Sequence, residues 1–433
     1  MNDSATGGTI DGVSDRDTAA MGTGRRFLFI HQNFPGQFGP LAGALAAGGH
    51  DVVALGVRPR AVAGVRVLRY QPVPPATASV VPAARDVELK LVRGLACAKA
   101  MRSLADGGFE PDTIVAHPGW GEALFCKDVF PAARLLVLAE FFYRAEGADV
   151  GFDPEFGALD LDARIALRMR NTALLHALHA ADGGYAPTRW QHAQIPAPWR
   201  SRFDVVFDGV DTDRVAPDPA AAVVLQRGGV RLRRGDEVIS FVNRNLEPYR
   251  GFHVFMRALP DILARRPQAR ALIVGRDGAG YGRPPADGRS WRQVLLDEVG
   301  GRLPMDRVHF VGALPYEDYL RVLQVSACHV YLTYPFVLSW SCVEAMSAGC
   351  TVVGSATPPV LEFIEDGRHG LLVGFGDVAA LADRVCAVLA DPEGHRALGQ
   401  AARERVRASF DLHRCSLPRL RALALGEATR PAP

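Results

Sequence analysis

Two arginines in the segment FVNRNLEPYRG, Arg244 and Arg250, are the residues whose types and spacing point most directly to chemistry. They follow the apolar run Phe241–Val242 and are separated by a loop bounded by Pro248 and Gly251. Two fixed cations at the end of a strand would stabilise negative charge growing on a departing phosphate while the site excludes water. All but three of the chain's 49 basic side chains are arginines, so plain surface placement is the other reading of both. A second candidate is Glu344, which opens the segment EAMSAG within YPFVLSWSCVEAMSAGCTVVG. An acid at a helix start, beneath a loop rich in backbone N–H groups, suits a ligand with hydroxyls at one end and phosphates at the other.

Four further segments sit where a parallel sheet would present a ligand. In FPGQF, Gly36 would let backbone amides approach a phosphate at the start of a helix, with Gln37 beside it; a simple tight turn explains the glycine equally well. His117 begins HPGWGE directly after the strand Thr113–Ala116, at the carboxyl end where open α/β sheets bind their ligands. GRDGAGYG, containing Asp277, follows another strand, and HFVGALP forms the next strand and loop. Asp211-Thr212-Asp213 matches the D-x-D metal motif but falls away from any clear strand end. His176 and His179 lack the glutamate partner of a helical zinc site, and there is no G-x-S-x-G, Walker A or G-x-G-x-x-G sequence. No metal is expected.

These segments need a scaffold, and the hydrophobic rhythm supplies one. Arg26–Ile30 reads as a strand, Gln37–Ala47 as a helix and Asp51–Leu55 as the next strand. The rhythm restarts with a strand at Glu237–Val242, a helix at Phe252–Arg266 and a strand at Ala271–Val274. Two such starts in 433 residues imply an α/β chain with two Rossmann-like domains. The expected boundaries are a disordered tail over 1–24, an N-terminal domain over 25–210, a linker over 211–235 and a C-terminal domain over 236–410. The tail lacks both the apolar and the basic region of a signal peptide. A final amphipathic helix, Leu412–Leu425, either crosses back to the first domain or stays on the second. Two long helical patterns, Val87–Leu104 and Leu161–His179, mix apolar and basic residues; each is a solvated face or a surface for anionic membrane or acceptor.

Composition excludes several classes. A formal charge of +2 creates no field that recruits nucleic acid. The odd number of cysteines, seven, with no C-x-x-C, reads as buried reduced thiols in a cytoplasmic protein. No apolar stretch approaches the length that spans a bilayer.

The segments from Tyr334 to Gly374, together with HQNFPGQF, HPGWGE, DGVDT and PFVLSWS, resemble retaining glycosyltransferases of family 4. The likeness extends from about Arg26 to Phe410. It implies the GT-B fold, two Rossmann-like domains facing each other across a cleft, the first binding the acceptor and the second a nucleotide diphosphate-sugar. It also implies roles. Arg244 and Arg250 would neutralise the diphosphate, with Arg250 at a position where the family has lysine, and His117 would contact the transferred sugar. Gly36, Gln37, Asn243, Asp277, Leu338, Ser339, Trp340 and Glu344 would bind the donor, Glu344 through the ribose hydroxyls. One departure stands out: the family has two glutamates eight positions apart, and here Phe336 occupies the first of those positions.

The implied reaction is transfer of a sugar from a UDP- or GDP-sugar to an acceptor hydroxyl with retention and without a metal. The acceptor is a sugar, a lipid-linked sugar or a secondary metabolite. The implied location is cytoplasmic, with peripheral contact at the inner membrane face as a variant. A nucleotide-sugar epimerase or hydrolase is one alternative, and a non-catalytic nucleotide-sugar-binding protein, motivated by Phe336, is another.

Overall fold

The computed structural model describes residues 24–73, 81–225, 229–278 and 280–428. All but the last residue of the expected 1–24 tail lies outside the described residues. The chain forms two compact units. The first contains residues up to Glu146, Pro154–Asp208 and the segment from Ser416; the second contains Gly147–Asp153 and Gly209–Cys415.

In the first unit, β1 (Arg26–Ile30), β2 (Asp51–Gly56), β3 (Arg66–Arg69), β4 (Thr113–Ala116), β5 (Arg134–Leu138), β6 (Gly183–Ala186) and β7 (Phe203–Val205) form one sheet. Their order is β3-β2-β1-β4-β5-β6-β7, and every pairing is parallel. Strands such as FLFI and LLVL are apolar throughout because helices cover both faces. The chain runs outward from β1 to β3 and then returns to lay β4 on the other side of β1. That reversal is a topological switch point, where parallel sheets open a crevice.

The last helix, Leu417–Leu425, packs in this unit, burying Leu420, Leu423 and Ala424 against Phe27, Phe29 and Val115. Arg134 Nη1 donates to the Leu423 carbonyl at 2.6 Å and Thr113 Oγ1 to the Ala424 carbonyl at 3.3 Å. These bonds occupy carbonyls that a helix end leaves without internal partners. The helical pattern expected over Leu161–His179 breaks in two, Leu161–Arg170 and Thr172–Ala180. Asn171 causes the break, its side chain accepting from the Tyr143 N–H at 3.1 Å and donating to the Tyr143 carbonyl at 2.8 Å.

The second unit repeats the plan. Strands β10 (Val238–Asn245), β11 (Arg270–Arg276), β12 (Val308–Gly312), β13 (Cys328–Tyr331), β14 (Thr351–Ser355) and β15 (Leu371–Val373) form a parallel sheet in the order β12-β11-β10-β13-β14-β15. Its switch point lies between β10 and β13. Phe241 of β10 stacks on Phe255 of the helix Phe252–Arg265, ring centroids 4.5 Å apart, at the centre of the core.

Two boundaries differ from expectation. Residues 211–235 are not a linker: they belong to the second unit, where β8 (Ala222–Val224) and β9 (Arg231–Arg233) pair antiparallel. The Ala216 carbonyl accepts from Gln324 Nε2 at 2.9 Å and the Val215 carbonyl from Ser347 Oγ at 2.6 Å, which fixes the stretch despite its Pro- and Gly-rich composition. Conversely, Gly147–Asp153, placed by sequence in the N-terminal domain, belongs to the second unit. Tyr249 and Tyr334 donate their hydroxyls to Asp149 and Asp153 at 2.9 Å each, and Phe152 packs against Tyr334 and Phe375.

Candidate functional site

At the second unit's switch point the side chain that dominates is Arg250. Pro248–Arg250 form a short 3-10 turn after β10, and Gly251 follows with φ +67°. A Cβ at Gly251 would lie 2.3 Å from the Leu332 side chain, so glycine is required for the turn to pack against the loop after β13. Arg250 is 6% exposed. Its Nη1 donates to Thr333 Oγ1 at 2.8 Å, to the Val337 carbonyl at 2.9 Å and more weakly to the Tyr331 hydroxyl at 3.4 Å. The guanidinium carbon lies 5.5 Å from the Tyr281 ring centre and 5.8 Å from that of Phe336. No carboxylate among the described residues pairs with it. A buried cation surrounded by neutral oxygens and aromatic faces is a site held ready for an anion.

Arg244 is placed differently. It is exposed near the end of β10 and makes no hydrogen bond or ion pair with a described residue. The two arginines expected to act together therefore differ in kind, one fixed and one open to solvent. Asn243 is half-buried on the same strand.

Phe336 is 3% exposed, its ring 4.7 Å from Tyr281 and 5.7 Å from Tyr249. Glu247 sets this wall. Its carboxylate accepts from the N–H groups of Gly280, Tyr281 and Gly282 at 3.3, 2.9 and 2.9 Å. These amides of GRDGAGYG are thus committed to Glu247 and serve to position Tyr281. Asp277 is ion-paired with Arg292 at 2.7 Å and lines a cavity of about 410 Å³ with Pro284, Pro285 and Trp291.

Glu344 does not open a helix, as expected, but lies midway along Trp340–Ser347. The helix starts earlier because Ser339 caps it, Oγ accepting from the Ser341 N–H at 3.4 Å. The Ser339 N–H donates to the Tyr331 hydroxyl at 2.8 Å. Leu338 is buried, whereas Trp340 is exposed. Both oxygens of Glu344 accept from phenols, Tyr316 at 2.8 Å and Tyr319 at 2.6 Å. Burial raises the Glu344 carboxyl above its usual range, and the Tyr319 and Tyr316 hydrogen bonds and Arg214 oppose that shift. A carboxylate accepts about four hydrogen bonds, so capacity for ribose hydroxyls remains.

The first unit's switch point is built from imidazoles. His31 follows β1, His117 follows β4 and Glu140 lies two residues past β5. His31 Nδ1 accepts from the Asn33 N–H at 3.0 Å, so Nε2 carries the proton given to Gln37 Oε1 at 3.0 Å. Gln37 Nε2 then donates to Glu140 Oε1 at 2.9 Å. His117 Nδ1 accepts from the Gly119 N–H at 3.1 Å, and its Nε2 meets Glu140 Oε2 at 3.3 Å. Trp120 stacks on His117 with centroids 4.3 Å apart. Burial, reinforced by His117, lowers the His31 pKa from 6.5 to about 4, with Gln37 and Glu140 opposing. Gly36 has φ +48°, and a Cβ there would lie 2.4 Å from His31 Nε2. This contact gives the glycine a reason independent of any phosphate.

Sequence reasoning missed Glu140, Tyr316 and Tyr319. Only the position of Glu140 just past a buried strand could have signalled it. The D-x-D match is structural: Asp211 Oδ1 accepts from the N–H groups of Asp213 and Arg214 at 3.2 and 3.0 Å, closing a turn.

Comparison with known proteins bears on both units. Residues 48–215 match the family described as Glycosyl transferase family 4 group, and residues 226–405 match Glycosyl transferases group 1. The chain carries two glycosyltransferase domains. Among curated relatives, the D-inositol 3-phosphate glycosyltransferase of Nocardia farcinica is 30% identical over 204 residues, 46% of this chain and 42% of the relative. D-inositol 3-phosphate glycosyltransferase 2 of Catenulispora acidiphila is 28% identical, covering 52% of this chain and 53% of the relative. The chain thus spans about half the length of the curated relatives it matches. Sucrose-phosphate synthase from Thermosynechococcus elongatus aligns with a TM-score of 0.67 at 21% identity, covering 93% of this chain and 97% of its own. Anabaena HepE in complex with UDP and glucose aligns with a TM-score of 0.65 at 16% identity, covering 93% and 99%. At these identities the likeness is one of fold, and the fold is GT-B.

Proposed function

We propose that the chain is a retaining glycosyltransferase that moves a sugar from a UDP- or GDP-sugar to an acceptor hydroxyl and releases the nucleoside diphosphate. The observation that carries this reading is the buried Arg250 guanidinium without a carboxylate partner among the described residues. A diphosphate is the anion such a group would neutralise as negative charge accumulates on the leaving group. Arg244, exposed on the same stretch of chain, supplies a second cation, and Glu344 accepts from the ribose. The reading requires no metal. The departing diphosphate takes the acceptor proton on the face it leaves, which retains the anomeric configuration and needs no protein nucleophile. His117 and the donor-binding residues orient the sugar.

Thermal stabilisation by UDP or GDP, followed by release of the same diphosphate from its sugar in the presence of an acceptor panel, tests the reading. NMR of the product's anomeric proton tests retention, and activity in the presence of a chelator tests metal independence. Absence of stabilisation by either diphosphate would end it. Donor consumption without any acceptor would identify an epimerase or hydrolase instead.

A second reading, a nucleotide-sugar-binding protein without catalysis, is favoured by Phe336, whose buried ring cannot accept a hydrogen bond from a sugar. Binding without turnover across the panel would select it.

The reading places the protein in the cytoplasm, with peripheral contact at the inner membrane face. No helix among the described residues is long and apolar enough to cross a membrane. Supporting the peripheral variant, Leu91 and Leu95 are exposed on the helix Arg85–Asp106, and Leu161 and Ile165 on Leu161–Arg170 beside Arg164 and Arg168. Sedimentation with vesicles of anionic phospholipid should fall for the double variant Leu161→Ser/Ile165→Ser. Equal sedimentation of both proteins rules the contact out.

A further inference from the structure

We propose that Tyr281 is a ligand-binding residue of the second unit: its phenol donates to a phosphate oxygen of the diphosphate that Arg250 neutralises, and Glu247 is the positioning residue. The proposal rests on the glycosyltransferase reading and deepens it by adding a hydroxyl donor beside the cation.

The protein uses only part of the Arg250 guanidinium. Nη1 makes all of its hydrogen bonds to described residues, to Thr333 Oγ1, the Val337 carbonyl and the Tyr331 hydroxyl. Two of its three nitrogens, Nε and Nη2, therefore keep their hydrogens for a ligand. The ring of Tyr281 stands 5.5 Å from the guanidinium carbon, and Phe336 meets that ring edge-on with centroids 4.7 Å apart. Tyr281 is 39% exposed, and its hydroxyl makes no hydrogen bond with a described residue. The phenol also lies within electrostatic reach of the oxygens that hold Arg250. Burial raises the Tyr331 hydroxyl pKa, Arg250 opposes the rise, and Cys342 and Tyr281 add to it. A phenol with a proton to give, beside a cation with two unused nitrogens, suits a group carrying several anionic oxygens. A phosphate is such a group.

Glu247, 2% exposed, fixes the place of the ring. Its carboxylate accepts from the N–H groups of Gly280, Tyr281 and Gly282 at 3.3, 2.9 and 2.9 Å. Three successive amides converging on one carboxylate form a nest that fixes the backbone of Tyr281. A Cβ at Gly280 would lie 2.1 Å from Glu247 Oε1, so the close approach requires glycine. The same residue also holds the backbone of the cation, its carbonyl accepting from the Arg250 N–H at 3.1 Å. Glu247 stands three positions before Arg250, yet no ion pair joins the two. Its charge is met by amides instead, which leaves the guanidinium to an anion from outside.

Calorimetric titration of the full chain with UDP and with GDP tests the proposal. Tyr281→Phe removes one oxygen from an exposed side chain. It should weaken whichever nucleotide wild type binds by about twentyfold, as expected for loss of a hydrogen bond to a charged group. The ³¹P signals of the bound nucleotide should move in the same variant. Glu247→Gln should weaken binding comparably, and combining it with Tyr281→Phe should add little, because both changes remove one interaction. If Glu247→Gln melts early, Gly280→Ala, which crowds the same carboxylate, replaces it in the cycle. Additive losses would overturn the positioning role of Glu247. Unchanged affinity in Tyr281→Phe alongside loss in Arg250→Gln would overturn the proposal and leave the glycosyltransferase reading standing. So would an unmoved phosphorus spectrum. Binding that survives Arg250→Gln, or wild type that binds neither nucleotide, would remove the reading and the proposal together.

Discussion

The two parallel sheets among the described residues reverse strand order beside their first strands, and each offers side chains from the loops that follow the flanking strands. The contents of these two places are opposite. In the first unit, the His117 imidazole and the Gln37 amide meet the Glu140 carboxylate, with His31 behind Gln37. In the second, hydroxyl and carbonyl oxygens and aromatic rings enclose the Arg250 cation. Sheet topology fixes where a ligand would be met, while loop chemistry decides which charges and hydrogen-bonding groups stand there.

The contrast can be broken most strongly at Arg250. Arg250→Gln should lower diphosphate release about a thousandfold and abolish stabilisation by UDP or GDP, while initial rates with Arg250→Lys recover in part. Equal rates for wild type and the glutamine variant would dissolve the second unit's half of the comparison. The first unit's half is exposed by pH. His31 titrates at about 4 when folded against 6.5 when unfolded, so the unfolded state binds the proton more readily. Its stabilising contribution is complete above pH 6.5 and is lost as pH falls through 4, by about 3 kcal/mol at about 1.36 kcal/mol per unit. Urea midpoints measured from pH 7 to 4 should therefore fall less in His31→Asn than in wild type. If the two curves run parallel, His31 is not held neutral.

A third effect sharpens the second site. Arg244→Ala should cost about a hundredfold in turnover with an unchanged melting temperature, since the side chain is exposed and makes no described contact. Near-normal transfer would leave Arg250 as the sole cation of the mechanism. The smallest effect is at Glu344. Removing both phenols, Tyr316→Phe with Tyr319→Phe, should raise the carboxyl pKa further and weaken UDP about tenfold at pH 6, with a smaller loss at pH 8. Calorimetry at the two pH values that shows no difference would remove the phenols from nucleotide binding.

Much of the scaffold was legible because buried parallel strands are written as continuous apolar runs. Arg26–Ile30 and Thr113–Ala116 have the boundaries that their residues suggest. Sequence failed where one side chain overrules a pattern. Asn171 interrupts an otherwise unbroken helical periodicity by pairing with the Tyr143 backbone. Ser339 moves a helix start four residues ahead of the EAMSAG segment. Arg250 and Glu344 were legible as candidates, since charged residues beside turn-forming segments announce themselves by type and spacing. Their partners were not, because Tyr316 and Tyr319 reach Glu344, and Thr333 and the Val337 carbonyl reach Arg250, across long sequence separations that no local period encodes.

Residues Gly147–Asp153 have a consequence for any attempt to take the molecule apart. Among the described residues the backbone passes between the two units four times, after Glu146, Asp153, Asp208 and Cys415. No single cut yields two whole pieces. A break near residue 208 would strip the leading fragment of the helix Leu417–Leu425 and the trailing fragment of Phe152 and its two aspartates. Shuffling halves between related enzymes would therefore succeed only when a short internal peptide and a terminal helix travel separately from the bodies they are numbered with.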